Sequence, residues 1–382
     1  MRRRFSSGLV PARLTTTRMD LLTVIYFLAG VVALVAGAEA LVRGAARLAA
    51  RTGISPVVIG LTVVAFGTSA PELAVSLGAA LQDQADLAVG NVVGSNIANV
   101  LLVLGLSSVV GGGLVVAQRI VRIDVPLMLA LSIALFLLGL DGELARWEGI
   151  VFVVLLLVYV AWTVVGTRRS ARTEAAVEDE YEEALGDLEA GSTWLDVGYV
   201  LVGLVMLVLG SAALVEAATD IAETLGVSEL VIGLTVVAVG TSLPEIATSV
   251  LAAARGQRDL AVGNAIGSNL FNILAVLGIT AVLSPSSLPI PDGALSVDIP
   301  VMIAVAIACL PIFWNGYTLL RWEGIIFLLY YAAYIAWLVL ESGDHAVKDD
   351  YRIAVLFFVI PLTVLTLVAI AFRSRRTGRI PI

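Results

Sequence analysis

Two glutamates lie in the middle of long apolar runs of this sequence. Glu72 belongs to the run GLTVVAFGTSAPELAVSLGAAL, and Glu245 belongs to the run GLTVVAVGTSLPEIATSVLAAA. A carboxylate in apolar surroundings is costly unless it is paired or binds a cation. The two glutamates are therefore the first candidates for chemistry in this chain.

Oxygen-bearing side chains accompany both glutamates. Each glutamate follows a Gly-Thr-Ser sequence and a proline, and each apolar run is followed by a Gly-Ser-Asn-x-x-Asn motif. The candidate side chains are Thr68, Ser69, Ser95, Asn99, Thr241, Ser242, Ser268 and Asn272. Carboxylate, hydroxyl and amide oxygens suit hard cations such as Ca²⁺ and Na⁺, and suit zinc or copper poorly. The Gly-Ser-Asn motifs alone would also fit close helix packing without binding.

The prolines predict that two helices are broken. A proline inside a helix removes a backbone hydrogen bond and clashes with the preceding turn. Pro71 should therefore break one helix and Pro244 another. At membrane depth, exposed carbonyls are tolerated only where they line a cavity. We expect such carbonyls near Ala65, Thr68, Ala238 and Thr241. A structural kink with a glutamate–arginine pair is the alternative, but the motif occurs twice, and Arg43, close to the end of the first segment, is the only arginine in a neighbouring apolar segment.

Composition indicates which elements carry these residues. The 382-residue chain is 59% hydrophobic and only 14% charged, and apolar stretches long enough to cross a bilayer recur throughout. The sequence predicts an all-α polytopic membrane protein with the lipid bilayer as its environment. The apolar segments cover 21–45, 55–81, 87–110, 123–140, 149–166, 195–218, 228–254, 260–283, 297–314, 324–341 and 353–372.

Several function classes are excluded or disfavoured. A single cysteine, Cys309, and a single histidine, His345, rule out an internal disulfide and a multi-histidine metal site. The chain has no GxxxxGK[ST] phosphate loop, so nucleotide-driven transport is disfavoured. Its net charge of −8 does not suggest nucleic-acid binding. We expect no cofactor and no obligate protein partner.

The chain consists of two similar halves. The Gly-Thr-Ser-x-Pro-Glu and Gly-Ser-Asn-x-x-Asn motifs recur at an offset of 173 residues, and Asp124-Val-Pro later corresponds to Asp298-Ile-Pro. We divide the chain into an arm (1–18), a first repeat (19–166), an acidic linker (167–193), a second repeat (194–342), and an additional helix with a basic tail (343–382). Five segments per repeat is an odd number, so the second repeat should be inverted.

The distribution of basic residues predicts the orientation. If the linker is cytoplasmic, the loops and tail on that side hold 15 of the 23 Lys and Arg residues, and the opposite loops hold three. This bias places the linker and the C-terminal tail in the cytoplasm of a cell membrane. The other five lie in the first 18 residues, on the opposite side. We interpret that arm as a misplaced start, since it lacks the apolar core of a signal peptide.

The residues favour a cation antiporter. Two carboxylates can neutralise one Ca²⁺, and the same pocket can hold Na⁺ through hydroxyls and carbonyls. If both ions need the same glutamates they exclude each other, and exchange follows from alternating access. A Ca²⁺/H⁺ antiporter, a passive channel and an intramembrane hydrolase are the alternatives. An intramembrane hydrolase would need a nucleophile–base pair, and no histidine lies in any apolar segment of this chain.

At these motifs the sequence resembles the sodium/calcium exchanger family of the cation/Ca²⁺ antiporter superfamily. The stretches 60–105 and 233–278 are similar to its paired alpha-repeats, and the resemblance extends over about residues 20–342. It implies ten transmembrane helices in two inverted-topology repeats and exchange of Na⁺ for Ca²⁺ across the plasma membrane. The Ca²⁺/H⁺ antiporters of the superfamily have a motif similar to GNxxE at the position where this chain has GTSxPE.

The resemblance also implies roles for individual residues. Glu72 and Glu245 would be the central Ca²⁺ and Na⁺ ligands, and Asn99 and Asn272 would line the middle of the pocket. Some members have aspartate at the position of Asn272. The asparagine of this chain removes a potential carboxylate there, which argues against potassium coupling. The sodium sites would be completed by Thr68, Ser69, Thr241, Ser242, Ser95 and Ser268, with the carbonyls of Ala65 and Ala238. The 27-residue linker is too short for the regulatory domains of some animal members.

Overall fold

The computed structural model describes residues 21–52, 54–170, 192–224 and 238–342. The predicted arm at 1–18, most of the linker and the predicted eleventh segment at 353–372 lie outside the described residues. So does the first part of the predicted seventh segment, up to residue 237.

The described residues are mainly helical. The helices are α1 (Leu21–Thr52), α2 (Pro56–Thr68), α3 (Ala70–Ala80), α4 (Ala85–Val110), α5 (Ile120–Asp141), α6 (Arg146–Ser170), α7 (Thr193–Thr224), α8 (Ala238–Thr241), α9 (Leu243–Ala254), α10 (Arg258–Leu283), α11 (Ala294–Trp314) and α12 (Arg321–Ser342). Within the described part of the chain, eight are long and apolar enough to cross a membrane. Together α2 and α3 form a ninth candidate span, bent by 42°.

The helices extend beyond the predicted apolar segments at several ends. Helix α1 continues to Thr52, past the predicted end at residue 45, and α6 and α12 begin at Arg146 and Arg321, three residues early. The added residues include arginines, which hydropathy assigns to loops. A helix can continue past the hydrocarbon layer because its backbone hydrogen bonds form within the helix. Only its side chains must change from apolar to polar ones that reach water.

Helices α4 and α10 occupy the centre of the molecule. In their most apolar stretches 78% and 83% of the residues are buried, against 22–39% for the other six single-helix spans. The outer helices expose leucine and valine side chains, as lipid-facing helices do. Close packing at the centre requires glycine. A Cβ atom on Gly60 of α2 would lie 2.9 Å from the Leu260 carbonyl oxygen of α10.

Two short antiparallel strand pairs join the loops. Strand β1 (Leu114–Val115), between α4 and α5, pairs with β4 (Thr318–Leu319), between α11 and α12. Strand β2 (Glu143–Leu144), after α5, pairs with β3 (Leu288–Pro289), before α11. The start of α5 therefore lies beside the end of α11, and the end of α5 lies beside the start of α11.

Candidate cation-binding site

Both glutamates lie in the first turn of a helix, just after a break. Helix α2 ends at Thr68 and α3 begins at Ala70, while α8 ends at Thr241 and α9 begins at Leu243. Only one serine separates the helices in each case, with φ and ψ of −82° and 5° in the first break and −85° and 4° in the second. The proline then falls in the first turn, where a missing N–H is tolerated. The predicted breaks are therefore observed, and each directs a positive helix N-terminus towards a carboxylate.

The two carboxylates are fully buried and poorly partnered. Glu72 and Glu245 are both 0% exposed. Among the described residues, neither carboxylate oxygen of Glu72 nor Oε2 of Glu245 meets a donor at hydrogen-bond geometry, although the Ser95 hydroxyl adjoins Glu72 and the Thr68 and Ser69 hydroxyls adjoin Glu245. The Oε1 atom of Glu245 accepts a long hydrogen bond of 3.5 Å from Ser268. Glu72 also lies close enough to Glu245 for their negative charges to interact. Buried oxygens of this kind are costly unless a cation binds them.

The predicted hydroxyls come together across the two halves. Thr68 Oγ1 lies 3.4 Å from Ser268 Oγ, and Ser242 Oγ lies 3.4 Å from Ser95 Oγ. The buried hydroxyl of Ser69 adjoins the carboxylate of Glu245. Each contact joins a broken helix of one half to a central helix of the other. The predicted ligands therefore form one cluster instead of two separate ones.

The two predicted asparagines are the least satisfied amides in this cluster. Asn99 and Asn272 are 1% and 0% exposed, and none of their four side-chain N and O atoms has a hydrogen-bond partner. Each begins a π-helical turn, Asn99–Leu104 in α4 and Asn272–Leu277 in α10. Such turns are frequent at functional sites because they redirect side chains. Both amide oxygens are available to a ligand.

The predicted free carbonyls need a correction. The Ala65 carbonyl oxygen is not free, since it accepts the backbone N–H of Ser69 at 3.0 Å. The helical turn before the break is intact, which is why this bond persists; a carbonyl oxygen still has a second lone pair for a cation. In the second half, Ala238 begins α8, and the Gly240 carbonyl accepts the Ser211 hydroxyl at 2.6 Å.

Four further polar residues adjoin the cluster and were missed from the sequence. They are Asn91, Asn264, Ser76 and Ser249, which connect the central helices to the broken ones. They form two pairs at the offset of 173 residues, Asn91 with Asn264 and Ser76 with Ser249. That recurrence is a signal in the sequence, but these residues lie outside the Gly-Thr-Ser-x-Pro-Glu and Gly-Ser-Asn-x-x-Asn motifs from which the ligands are predicted. The two asparagines hydrogen-bond the threonines of the cluster, and the two serines hydrogen-bond the asparagines.

Within the described residues, the cluster offers oxygen ligands only. It combines two carboxylates with hydroxyl and amide groups, inside a bundle of membrane-spanning helices. This donor set fits a hard cation such as Na⁺ or Ca²⁺. The fold and the site together define a polytopic membrane protein with a buried candidate site for a cation.

The family follows from the sequence comparison. A family model described as "Sodium/calcium exchanger protein" matches residues 22–165 and 195–340. These two matches cover well over half of the chain and contain both glutamates. The chain belongs to the sodium/calcium exchanger family.

Individual relatives agree with this assignment. The inner membrane protein YrbG of Escherichia coli is 38% identical over 272 residues, covering 70% of this chain and 81% of YrbG. The sodium/calcium exchanger MaX1 of Methanosarcina acetivorans is 32% identical over 348 residues, covering 83% of this chain and 98% of MaX1. The solved structure of the sodium-calcium exchanger NCX_Mj, soaked with 2.5 mM Na⁺ and 0.1 mM Ca²⁺, matches 83% of this chain and 98% of its own, with a TM-score of 0.69 and 31% identity.

Replacing one of the buried carboxylates tests their electrostatic strain. In detergent at pH 8, with choline as the only added cation and a chelator present, we expect Glu72→Gln to raise the thermal unfolding midpoint by about 2–4 °C. Glutamine keeps the shape and is neutral, whereas a glutamate buried next to Glu245 must either carry an uncompensated charge or take up a proton at a pH where the unfolded chain is ionised. The measurement is a thermal melt followed by tryptophan fluorescence.

The matched control is Glu143→Gln, which makes the same change at an exposed position in strand β2. The control variant should melt within about 1 °C of the unmodified protein. An unchanged or lower midpoint for Glu72→Gln would mean that burial of this carboxyl group does not destabilise the cation-free protein.

Proposed function

We propose that this protein is a secondary active antiporter that exchanges Na⁺ for Ca²⁺ across the plasma membrane. The observation that carries the proposal is the pair of buried, poorly partnered carboxylates in an oxygen-lined cluster. Relatives and a solved structure with the same fold are named sodium/calcium exchangers. The transported ions are the substrates, and no enzymatic step is involved.

Charge balance supports Ca²⁺ as one substrate. Glu72 and Glu245 together carry two negative charges, and among the described residues no ion pair involves either of them. One Ca²⁺ would neutralise both charges. Its 6–8 oxygen ligands can come from these carboxylates and from the amides of Asn99 and Asn272. We assign the central position to Ca²⁺ on this basis.

The hydroxyls support Na⁺ as the counter-ion. Na⁺ needs several neutral oxygen ligands, whereas a proton needs only a base. Hydroxyls flank both glutamates, and they come from both halves: Thr68, Ser69, Ser95, Thr241, Ser242 and Ser268. The carbonyls of Ala65 and Ala238 would add to these ligands. Because the same glutamates serve both ions, Na⁺ and Ca²⁺ would exclude each other, which couples their movements.

We infer that the core consists of ten transmembrane helices in two inverted repeats, followed by an eleventh helix. The strand pairs support the inversion. Helices α5 and α11 occupy equivalent positions in the two repeats, yet the start of one lies beside the end of the other. Inverted repeats place a substrate site near the midplane and allow it to open alternately to either side.

We also propose that the linker and the C-terminal tail are cytoplasmic. The excess of arginine on that side of the chain supports this orientation. In this orientation β1 and β4 lie on the cytoplasmic side, and β2 and β3 lie on the outside. The name of the relative YrbG places that protein in the inner membrane, which supports a cell-membrane location here.

Ion flux tests the proposed exchange. In liposomes loaded with Na⁺ and diluted into Na⁺-free buffer at fixed pH, we expect ⁴⁵Ca²⁺ uptake that requires internal Na⁺. Glu245→Gln should lower uptake at least a hundredfold, because the site loses one of its two charges and cannot neutralise Ca²⁺ (~3 kcal/mol of binding). Glu143→Gln, at an exposed position in strand β2, should transport like the unmodified protein.

Other outcomes would contradict specific parts of the proposal. Ca²⁺ uptake that follows an imposed pH gradient and ignores Na⁺ would identify a Ca²⁺/H⁺ antiporter that uses the same glutamates. Passive Ca²⁺ entry without any counter-ion would identify a channel. Full activity in Glu245→Gln would remove the central carboxylate from the mechanism.

Cysteine labelling tests the orientation. The only cysteine, Cys309, is buried, so Cys309→Ala provides a background without thiols. In that background, a membrane-impermeant maleimide should label Glu143→Cys, next to β3, in intact cells. Val115→Cys, next to β4, should be labelled only after permeabilisation. The opposite pattern would reverse the orientation, and labelling of both positions from outside would contradict the crossing of the membrane by α5, which lies between them.

A further inference from the structure

An asparagine amide on α4 bridges the two halves of the site. The Asn91 Nδ2 atom donates to Ser76 Oγ on α3 at 2.9 Å and to the Glu72 backbone carbonyl at 3.2 Å. Its Oδ1 atom accepts the hydroxyl proton of Thr241 from the other half at 3.2 Å. One amide thus connects the helix that carries a glutamate to the opposite broken helix.

Asn264 on α10 makes the equivalent bridge in the other direction. Its Nδ2 donates to Ser249 Oγ on α9 at 2.9 Å, and its Oδ1 accepts the hydroxyl proton of Thr68 at 3.2 Å. The serine and threonine contacts are the same in the two bridges with the halves exchanged, while Asn91 also donates to the Glu72 carbonyl. They differ in burial, since Asn264 is fully buried and Asn91 is partly exposed.

The direction of these hydrogen bonds matters for a hydroxyl that binds a cation. A threonine hydroxyl has one proton to donate and two lone pairs to offer. It can bind a cation only through a lone pair, so its proton has to point elsewhere. An asparagine carbonyl oxygen placed behind the hydroxyl accepts that proton and leaves the lone pairs for the ion.

The serine partner fixes which end of the amide faces the threonine. Ser76 donates its own proton to the Ala88 carbonyl at 3.1 Å, so its oxygen can only accept a proton from Asn91. The NH₂ group of Asn91 must therefore face Ser76, which turns the amide oxygen towards Thr241. If the amide were flipped, its NH₂ group would face the Thr241 hydroxyl. Its oxygen would then face the Ser76 oxygen, whose proton is already donated to Ala88.

The Thr68 hydroxyl has several neighbours that could accept its proton. Its Oγ1 lies 3.2 Å from Asn264 Oδ1, 3.4 Å from Ser268 Oγ and 3.5 Å from the Ala65 carbonyl, and it also adjoins the carboxylate of Glu245. A cation bound to that carboxylate would occupy the oxygens that compete for the proton, and the amide oxygen is then the nearest acceptor. We therefore assign the proton of Thr68 to Asn264 in the cation-bound protein.

We propose that Asn91 and Asn264 are positioning residues that orient the hydroxyls of Thr241 and Thr68 for ion binding, and that they thereby set the affinity for Na⁺. The proposal rests on the proposed function, because it assumes that Na⁺ binds at these threonines. Each amide acts across the two halves, so each half determines the ligand geometry of the other. Neither asparagine contacts the ion in this account.

Double-mutant cycles in the Na⁺-driven Ca²⁺ uptake assay test the proposal. Asn264→Leu should raise the half-saturating Na⁺ concentration about tenfold, with maximal uptake per folded protein changed by less than about twofold. Thr68→Val should raise it by a similar factor. The combination Asn264→Leu with Thr68→Val should be within about twofold of Thr68→Val alone, because the amide acts only through that hydroxyl.

The crossed pair is the matched control. Asn264 makes no hydrogen bond to Thr241, so the effects of Asn264→Leu and Thr241→Val should multiply to about a hundredfold. For Asn91 the matched partner is Thr241. The effects of Asn91→Leu and Thr241→Val should therefore be non-additive, whereas those of Asn91→Leu and Thr68→Val should multiply. If Asn264→Leu does not fold, the arm with the partly exposed Asn91 carries the test.

The outcomes distinguish a failure of the positioning role of the amides from a failure of the proposed Na⁺-coupled exchange. Multiplicative effects in both matched pairs, or a loss of maximal uptake at unchanged half-saturating Na⁺, would overturn the proposal and make the amides simple packing elements. Uptake that is independent of Na⁺ in the unmodified protein would overturn the proposed function, and this inference with it. Non-additivity confined to the matched pairs is the expected result.

Discussion

Two like charges buried next to each other impose the main constraint on this structure. Glu72 and Glu245 have no exposed surface, and within the described residues no arginine or lysine pairs with them. In a membrane interior their repulsion is poorly screened, and each carboxylate loses its hydration. The surroundings must therefore stabilise negative charge, and a cation bound between the carboxylates does so most directly. The same constraint couples two cations that need the same pair of charges.

The other features of the centre serve this requirement. The helix breaks at Ser69 and Ser242 place positive helix ends next to the carboxylates. The π-helical turns begin at Asn99 and Asn272 and bring their amides to the cluster. Helices α4 and α10 cross the broken helices at close range, so each half contributes to the surroundings of the other. A change in the packing of the two halves would therefore alter the ligand geometry of every ion at once.

Much of this arrangement could be predicted from the sequence because it is repeated. The apolar segments predicted the long helices, the prolines predicted the breaks, and the doubled motifs predicted which oxygens meet. The helix ends were predicted less well, since arginines such as Arg146 and Arg321 continue helices beyond the apolar region. The Ala65 carbonyl was expected to be free, but the turn before the break keeps its hydrogen bond. The roles of Asn91 and Asn264 depend on which helices cross and on which end of each amide faces a hydroxyl, and a linear sequence specifies neither.

If both glutamates form one site that Na⁺ and Ca²⁺ compete for, Na⁺ must displace Ca²⁺ from the protein at equilibrium. The decisive measurement is ⁴⁵Ca²⁺ bound to purified protein in detergent, as a function of Na⁺ concentration. We expect one high-affinity Ca²⁺ per chain, displaced by Na⁺ with a Hill coefficient above one, and no such binding in the Glu72→Gln, Glu245→Gln double variant. Ca²⁺ binding that Na⁺ does not displace, or that survives in the double variant, would contradict the shared site.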